Sequence, residues 1–187
     1  MKNTYLLLHP SSVIIVEQIF NCIKEKGFII EDIYRINQWD EILDSIYQTT
    51  YSKSETVKMH VHAHAYLNKY FYGNCGLLVI LHKEVDYKTM VRDTLELKQT
   101  IRSYMDDTRN GTISIMLNVN KVKLCNGMET LHDSIEKKEN VFFSYVHCPD
   151  SEEQYREDFK IFNNYNIKKL DENEVKMMLK FHSYYWS

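Results

Sequence analysis

The sequence predicts an α/β (α+β) protein, a sandwich in which an antiparallel sheet carries helices. Three observations predict it. Two short apolar runs, TYLLLH (4–9) and GLLVILH (76–82), read as buried strands. Each is followed by a stretch with apolar residues at helical spacing. The bulk composition, 44% apolar and 26% charged over 187 residues, is that of an ordinary globular chain. One domain spanning 1–187, with an insertion at 106–139 and a C-terminal extension, accommodates that length.

The elements follow in order. The first strand is ended by Pro10, and Ser11 or Ser12 can cap the helix that follows. That helix carries Val13, Ile14, Val16, Ile19, Phe20 and Ile23, and Gly27 suits the left-handed position after its end. FIIEDIYRI (28–36) is the second strand, and QWDEILDSIYQ (38–48) a short helix with Trp39 as a packing anchor. GLLVILH is the clearest strand, and 86–106 is a long amphipathic helix carrying Met90, Leu95, Leu97, Ile101 and Met105. Asn110-Gly111 marks a turn between that helix and two further strand candidates. NVFFSYVH (140–147) is a strand and SEEQYREDFKIF (151–162) a helix. The acidic run at 171–174 suits a helix start, where negative charge is favoured. With 106–139 set aside, the order is β-α-β, β-α-β, then a helix. That order fits a ferredoxin-like sandwich with helices on one face of the sheet.

Several function classes drop out. A net charge of -3 offers no basic field, so no nucleic-acid partner is expected. No apolar run approaches the roughly 20 residues that span a bilayer, so no membrane partner is expected. The N-terminal apolar stretch is broken by His9, Pro10 and two serines, which reads as folded structure rather than a signal peptide. The four cysteines form no C-x-x-C pair, which fits free thiols and a cytoplasmic location. With 5 glycines and neither G-x-x-x-x-G-K-[ST] nor G-x-G-x-x-G, the common nucleotide-binding loops are excluded.

Chemistry concentrates at the junction of strand 140–147 and helix 151–162, where the chain reads His147-Cys148-Pro149-Asp150-Ser151-Glu152-Glu153. This segment resembles the H-G-S-D-S-x-E segment of the nucleoside diphosphate kinase family, with Cys148 and Pro149 in place of Gly and Ser. Asp158 stands at the position of the family glutamate that orients the histidine. Further segments share the likeness. LLLHPSSVIIVEQIFNCIKEKGF resembles the family's K-P-D/N strand, helix and K-G-F. GLLVILH resembles its G-P-V-V-A-M-V, and Lys88-Thr89-Met90-Val91-Arg92 its K-T-G-R.

The resemblance implies transfer of the γ-phosphate of a nucleoside triphosphate through a phosphohistidine to a nucleoside diphosphate or related acceptor. His147 is then the nucleophile and Asp158 its orienting group. A neutral imidazole is a competent nucleophile near pH 7. Asp150 is implied as the residue positioning a magnesium-bound phosphate, Mg2+ being the cofactor. The nucleotide- and phosphate-binding set is implied to include His9, in place of the family lysine, with Arg92 and Arg102. His132 stands in the T-I-R-G counterpart, Ser144 replaces an asparagine, Phe71 or Tyr72 is the base-stacking aromatic, and Tyr66 is the neighbouring tyrosine. Histidine and lysine are not equivalent at phosphate, because an ordinary histidine is only partly charged at pH 7. The ordinary alternative is that His147 merely ends a strand and D-S-x-E is a helix N-cap.

Two other readings stand beside the kinase-like one. A nucleotide-binding or scaffold protein could keep the fold without turnover. A zinc-dependent hydrolase could use His60, His62 and His64, which share one face if that stretch is a strand. No H-E-x-x-H accompanies those histidines, and purified protein is expected to hold no stoichiometric zinc. The oligomeric state is left open, a homo-oligomer included.

Overall fold

In the computed structural model, residues 3–13, 16–39, 41–42, 45–46, 75–101 and 146–185 are described. Strand β1 is Asn3–Leu8, and Pro10 opens the short helix α1, Pro10–Val13. Proline suits a first helical position, because its missing N–H is one that the helix would leave unpaired anyway. The helix therefore starts earlier than expected. Ser12 lies inside the turn, its backbone N–H bonded to the His9 carbonyl at 2.8 Å, and the serines do not occupy the cap.

Helix α2, Val16–Glu25, buries Val16, Ile19, Phe20 and Ile23. Gly27 ends it at φ 75°. The Gly27 N–H reaches the Lys24 carbonyl at 2.9 Å and the Phe28 N–H reaches that of Ile23 at 3.1 Å. These two bonds form a Schellman motif, and they satisfy carbonyls that the helix end would orphan. Strand β2 is Ile29–Ile36 and strand β3 is Gly76–His82. Helix α3, residues 87–101, follows β3. Asp86 caps it, taking the Thr89 N–H at 3.0 Å and the Thr89 hydroxyl at 2.6 Å. Strand β4 is Val146–His147, helix α4 is Glu152–Asn163, strand β5 is Lys168–Lys169 and helix α5 is Glu172–Tyr185. Asp171 and Glu174 build a reciprocal capping box for α5: Asp171 Oδ1 takes the Glu174 N–H at 2.9 Å, and Glu174 Oε2 takes the Asp171 N–H at 3.1 Å.

The sheet order is β4-β1-β3-β2-β5, and every neighbouring pair is antiparallel. β1 and β2 are thus parallel with β3 between them, and β3 and β4 are parallel with β1 between them. Two interleaved split β-α-β units in this order make the ferredoxin-like fold, as the sequence predicts. The C-terminal extension adds β5 to the β2 edge and α5 beyond it.

The one-face expectation is too simple. β1 and β3 are apolar on both faces, so both faces need cover. Leu6, Leu8, Leu77, Val79 and Leu81 pack with α2, with Met90, Leu97 and Ile101 of α3, and with Val175, Met178 and Leu179 of α5. Tyr5, Leu7, Leu78 and Ile80 pack instead with Trp39, Ile42 and Ile46 and with Tyr155 and Phe162 of α4. Residues 39, 41–42 and 45–46 are helical, consistent with the short helix expected there. Among the described residues no helix is long and apolar enough to cross a membrane. The 106–139 segment lies outside them, as do both strands expected within it.

Candidate functional site

β1 is the central support of the site. Its register sets Leu7 opposite His147, and residues opposite one another in an antiparallel pair face the same side of the sheet. His147 therefore shares the α4 side with Tyr5 and Leu7. Ser151 starts α4 by accepting the Gln154 N–H at 3.1 Å. The helix then lays Tyr155, Asp158 and Phe162 against the sheet, at offsets of three and seven that repeat along one helical face.

This packing brings together His147 and Asp158, the two residues that the resemblance pairs. His147 Nε2 lies 3.4 Å from Asp158 Oδ2, at the long end of hydrogen-bond range. A carboxylate only accepts, so the contact calls for the tautomer with the proton on Nε2. Asp158 is 1% exposed and His147 6%. The Tyr5 hydroxyl donates to the same carboxylate oxygen. A buried carboxylate requires such donors, because its hydration is lost and must be replaced. Around this cluster the Tyr155 and Phe159 rings stack at 4.5 Å, and burial pushes the Tyr155 hydroxyl above its ordinary pKa. The arrangement holds an imidazole at a strand end beside a buried, aromatic wall.

The remaining expected residues are placed as follows. His9 directly follows β1 but is 1% exposed, its ring 4.6 Å from that of Trp39. Asp150 is exposed and bonded by Lys98 Nζ at 3.0 Å. Arg92 lies on the outer side of α3, its guanidinium 3.0 Å from Asp93 and 3.9 Å from Glu96. Cys148 is buried with its thiol 3.9 Å from the Thr94 carbonyl, a weak contact typical of a packed small residue. Tyr66, Phe71, Tyr72, Arg102, His132 and Ser144 lie outside the described residues, as do His60, His62 and His64. The sequence reading missed Tyr5 and Lys98. Nothing in TYLLL distinguishes a bonded tyrosine from a packing one, and nothing in the sequence sets Lys98 apart from the other lysines. Among the described residues, no cluster of three or more His, Cys, Asp or Glu could hold a metal ion, and Cys22, Cys75 and Cys148 are free thiols.

No family model matches the sequence, and no curated protein matches it. Among solved structures, the chain is similar to an NDP kinase from Pyrobaculum aerophilum, at 15% identity and a TM-score of 0.49, over 93% of this chain and 98% of that one. It is also similar to the Aquifex aeolicus nucleoside diphosphate kinase, at 10% identity and a TM-score of 0.44, over 92% and 97%. A third is a transition-state mimic of nucleoside-diphosphate kinase from Borrelia burgdorferi with bound vanadate and ADP, at 13% identity and a TM-score of 0.45, over 92% and 89%.

Proposed function

We propose that this protein is a phosphotransferase that moves the γ-phosphate of a nucleoside triphosphate to a nucleoside diphosphate or related acceptor, through a phosphohistidine at His147. The observation that carries the proposal is the buried contact of His147 Nε2 with Asp158 Oδ2 at 3.4 Å. With its proton directed to the carboxylate, the imidazole presents its Nδ1 lone pair as nucleophile. Asp158 stabilises the positive charge that the ring gains as the N–P bond forms and the bond to the departing diphosphate breaks. In the second half, the acceptor oxygen takes the phosphoryl group and the neutral imidazole returns. Catalysis of this kind rests on positioning and charge stabilisation more than on covalent chemistry by the protein.

Magnesium fits as a partner of the nucleotide phosphates rather than as a resident of a protein cage. Asp150 is a single exposed carboxylate held by Lys98, and a magnesium ion commonly takes one or two carboxylates plus substrate oxygens. Bound there, the ion would neutralise phosphate charge.

A second reading, a nucleotide-binding protein without turnover, is favoured by the burial of His9 against Trp39. That placement gives no exposed cation where the family likeness puts a lysine. The helix-start role of Ser151 also accounts for part of the D-S-x-E pattern without any chemistry. Incubation with γ-labelled ATP and magnesium separates the readings. The phosphotransferase acquires acid-labile, base-stable label, His147→Ala abolishes it while retaining nucleotide binding, and Asp158→Asn slows it roughly 10-fold or more. ATP binding with no label and no turnover would establish the binding module instead.

A further inference from the structure

The hydroxyl of Tyr5 has no role in the reading above, yet it donates to the same carboxylate oxygen that His147 reaches. Tyr5 is 0% exposed, in a strand flanked on both sides by others. Its ring is fixed by edge contacts with Phe162 at 5.2 Å and Phe159 at 5.9 Å, and by Tyr155 at 5.9 Å. A phenylalanine would fill the same apolar space, so packing does not call for the oxygen. That oxygen is buried and donates to Asp158 Oδ2, the atom that His147 Nε2 also reaches. Two donors, one from β1 and one from the end of β4, thus converge on one oxygen of a carboxylate carried by α4.

We infer that Tyr5 is a positioning residue for His147, acting through Asp158: its hydroxyl fixes the carboxylate rotation that keeps the imidazole proton on Nε2 and the lone pair on Nδ1. The contact it supports is already long at 3.4 Å, so a small swing of the carboxylate is enough to lose it. The tyrosine is the rigid member of the set, since its ring cannot rotate away from three aromatic neighbours. Its effect on rate rests on the phosphotransfer reading, whereas its effect on the tautomer rests on geometry alone.

The test uses the full chain with nitrogen-15-labelled histidine, the His147 signals being identified by their loss in His147→Asn. Tyr5→Phe removes only the hydroxyl. The expected result is a several-fold larger share of the Nδ1–H tautomer at His147. Labelling from ATP is expected to slow roughly 10-fold, with the ATP concentration for half-maximal rate unchanged, as for other groups that orient a reacting residue. A purely structural tyrosine would lower the melting temperature and leave the tautomer where it was. If Tyr5→Phe fails to fold, a fluorotyrosine installed at position 5 keeps the ring and makes a stronger donor, and the Nε2 signal must then shift. Unmoved His147 signals in every folded variant overturn the inference. A wild type that takes no label sinks the phosphotransfer reading, and the tautomer measurement still decides the role of Tyr5.

Discussion

The six-membered ring of Trp39 occupies the space where a side chain on Gly76 would begin. A Cβ built there falls 2.2 Å from Trp39 Cε3, 2.4 Å from Cζ3 and 2.7 Å from the Leu8 carbonyl oxygen. Trp39 is 1% exposed and also packs edge-on against His9, so this glycine lets one indole wedge between the end of β1 and the start of β3. Gly76→Ala is therefore expected to destabilise the fold by about 3 kcal/mol, the upper range for overpacking a filled core. The indole ring could tilt, but the main-chain oxygen of Leu8 belongs to a paired strand and cannot. Urea unfolding followed by tryptophan fluorescence measures the loss, and a midpoint equal to wild type would contradict the packing described here.

Much of this fold was legible because its central strands are unusually pure. TYLLL and GLLVIL bury nearly every residue, so an uninterrupted apolar run marked them without any periodicity. Gly27 and Asp171 declared their helix ends by local chemistry that needs no tertiary contact. β5 was illegible for the opposite reason. Lys168 and Lys169 carry no apolar signal, and their pairing with Arg35 and Tyr34 is set by the register of β2 and by the Leu170 N–H on the Ile33 carbonyl at 2.9 Å. The cover on the second sheet face was hidden as well, because α4 looks like any amphipathic helix until β4 fixes where it starts. At the site, the pairing of His147 with Asp158 was legible only through the family resemblance. The hydroxyl of Tyr5 was not, since a bond across 153 positions leaves no local trace. Nor was the burial of His9, which depends on an indole thirty residues away.

The ion pair between Lys83 and Asp93, 2.6 Å long, gives stability a defined pH dependence. The Lys83 ammonium donates to the Asp93 carboxylate, and together with the Arg92 guanidinium it holds that carboxyl below its ordinary pKa of 3.8. The folded state then binds fewer protons than the unfolded one in the window between the two values. The contribution is complete above 3.8 and disappears as pH falls through the lower, folded-state value. Both side chains are partly exposed, at 22% and 15%, so the contribution is about 1 kcal/mol rather than the larger figure of a sealed pair. Asp93→Asn is expected to unfold at lower urea than wild type at pH 7, with the gap closing as the solution is acidified below 3.8. A gap that stays constant down to pH 2 would show that the carboxylate charge contributes nothing there.

Arg92 offers the sharpest separation of stability from binding. Its side chain is 67% exposed, and its partners are the adjacent Asp93 and, at 3.9 Å, Glu96 one helical turn on. Surface pairs of this kind contribute between 0 and about 1 kcal/mol, and solvent and salt compete with them freely. The guanidinium is thus loosely committed and could exchange its carboxylate partners for phosphate oxygens at little cost, gaining two parallel hydrogen bonds in the exchange. Arg92→Ala is expected to leave the unfolding midpoint within about 0.5 kcal/mol of wild type, as for other surface substitutions. If Arg92 meets the phosphates, the same variant weakens binding of a nucleoside triphosphate roughly 10-fold, since a charge-assisted pair contributes about 1.5–3 kcal/mol, while adenosine binding stays the same. Titration calorimetry with ATP, ADP and adenosine on the two proteins distinguishes the cases. Equal weakening for ATP and adenosine would mean that the arginine acts through the shape of α3 and not through phosphate. Unchanged ATP affinity would remove Arg92 from the site.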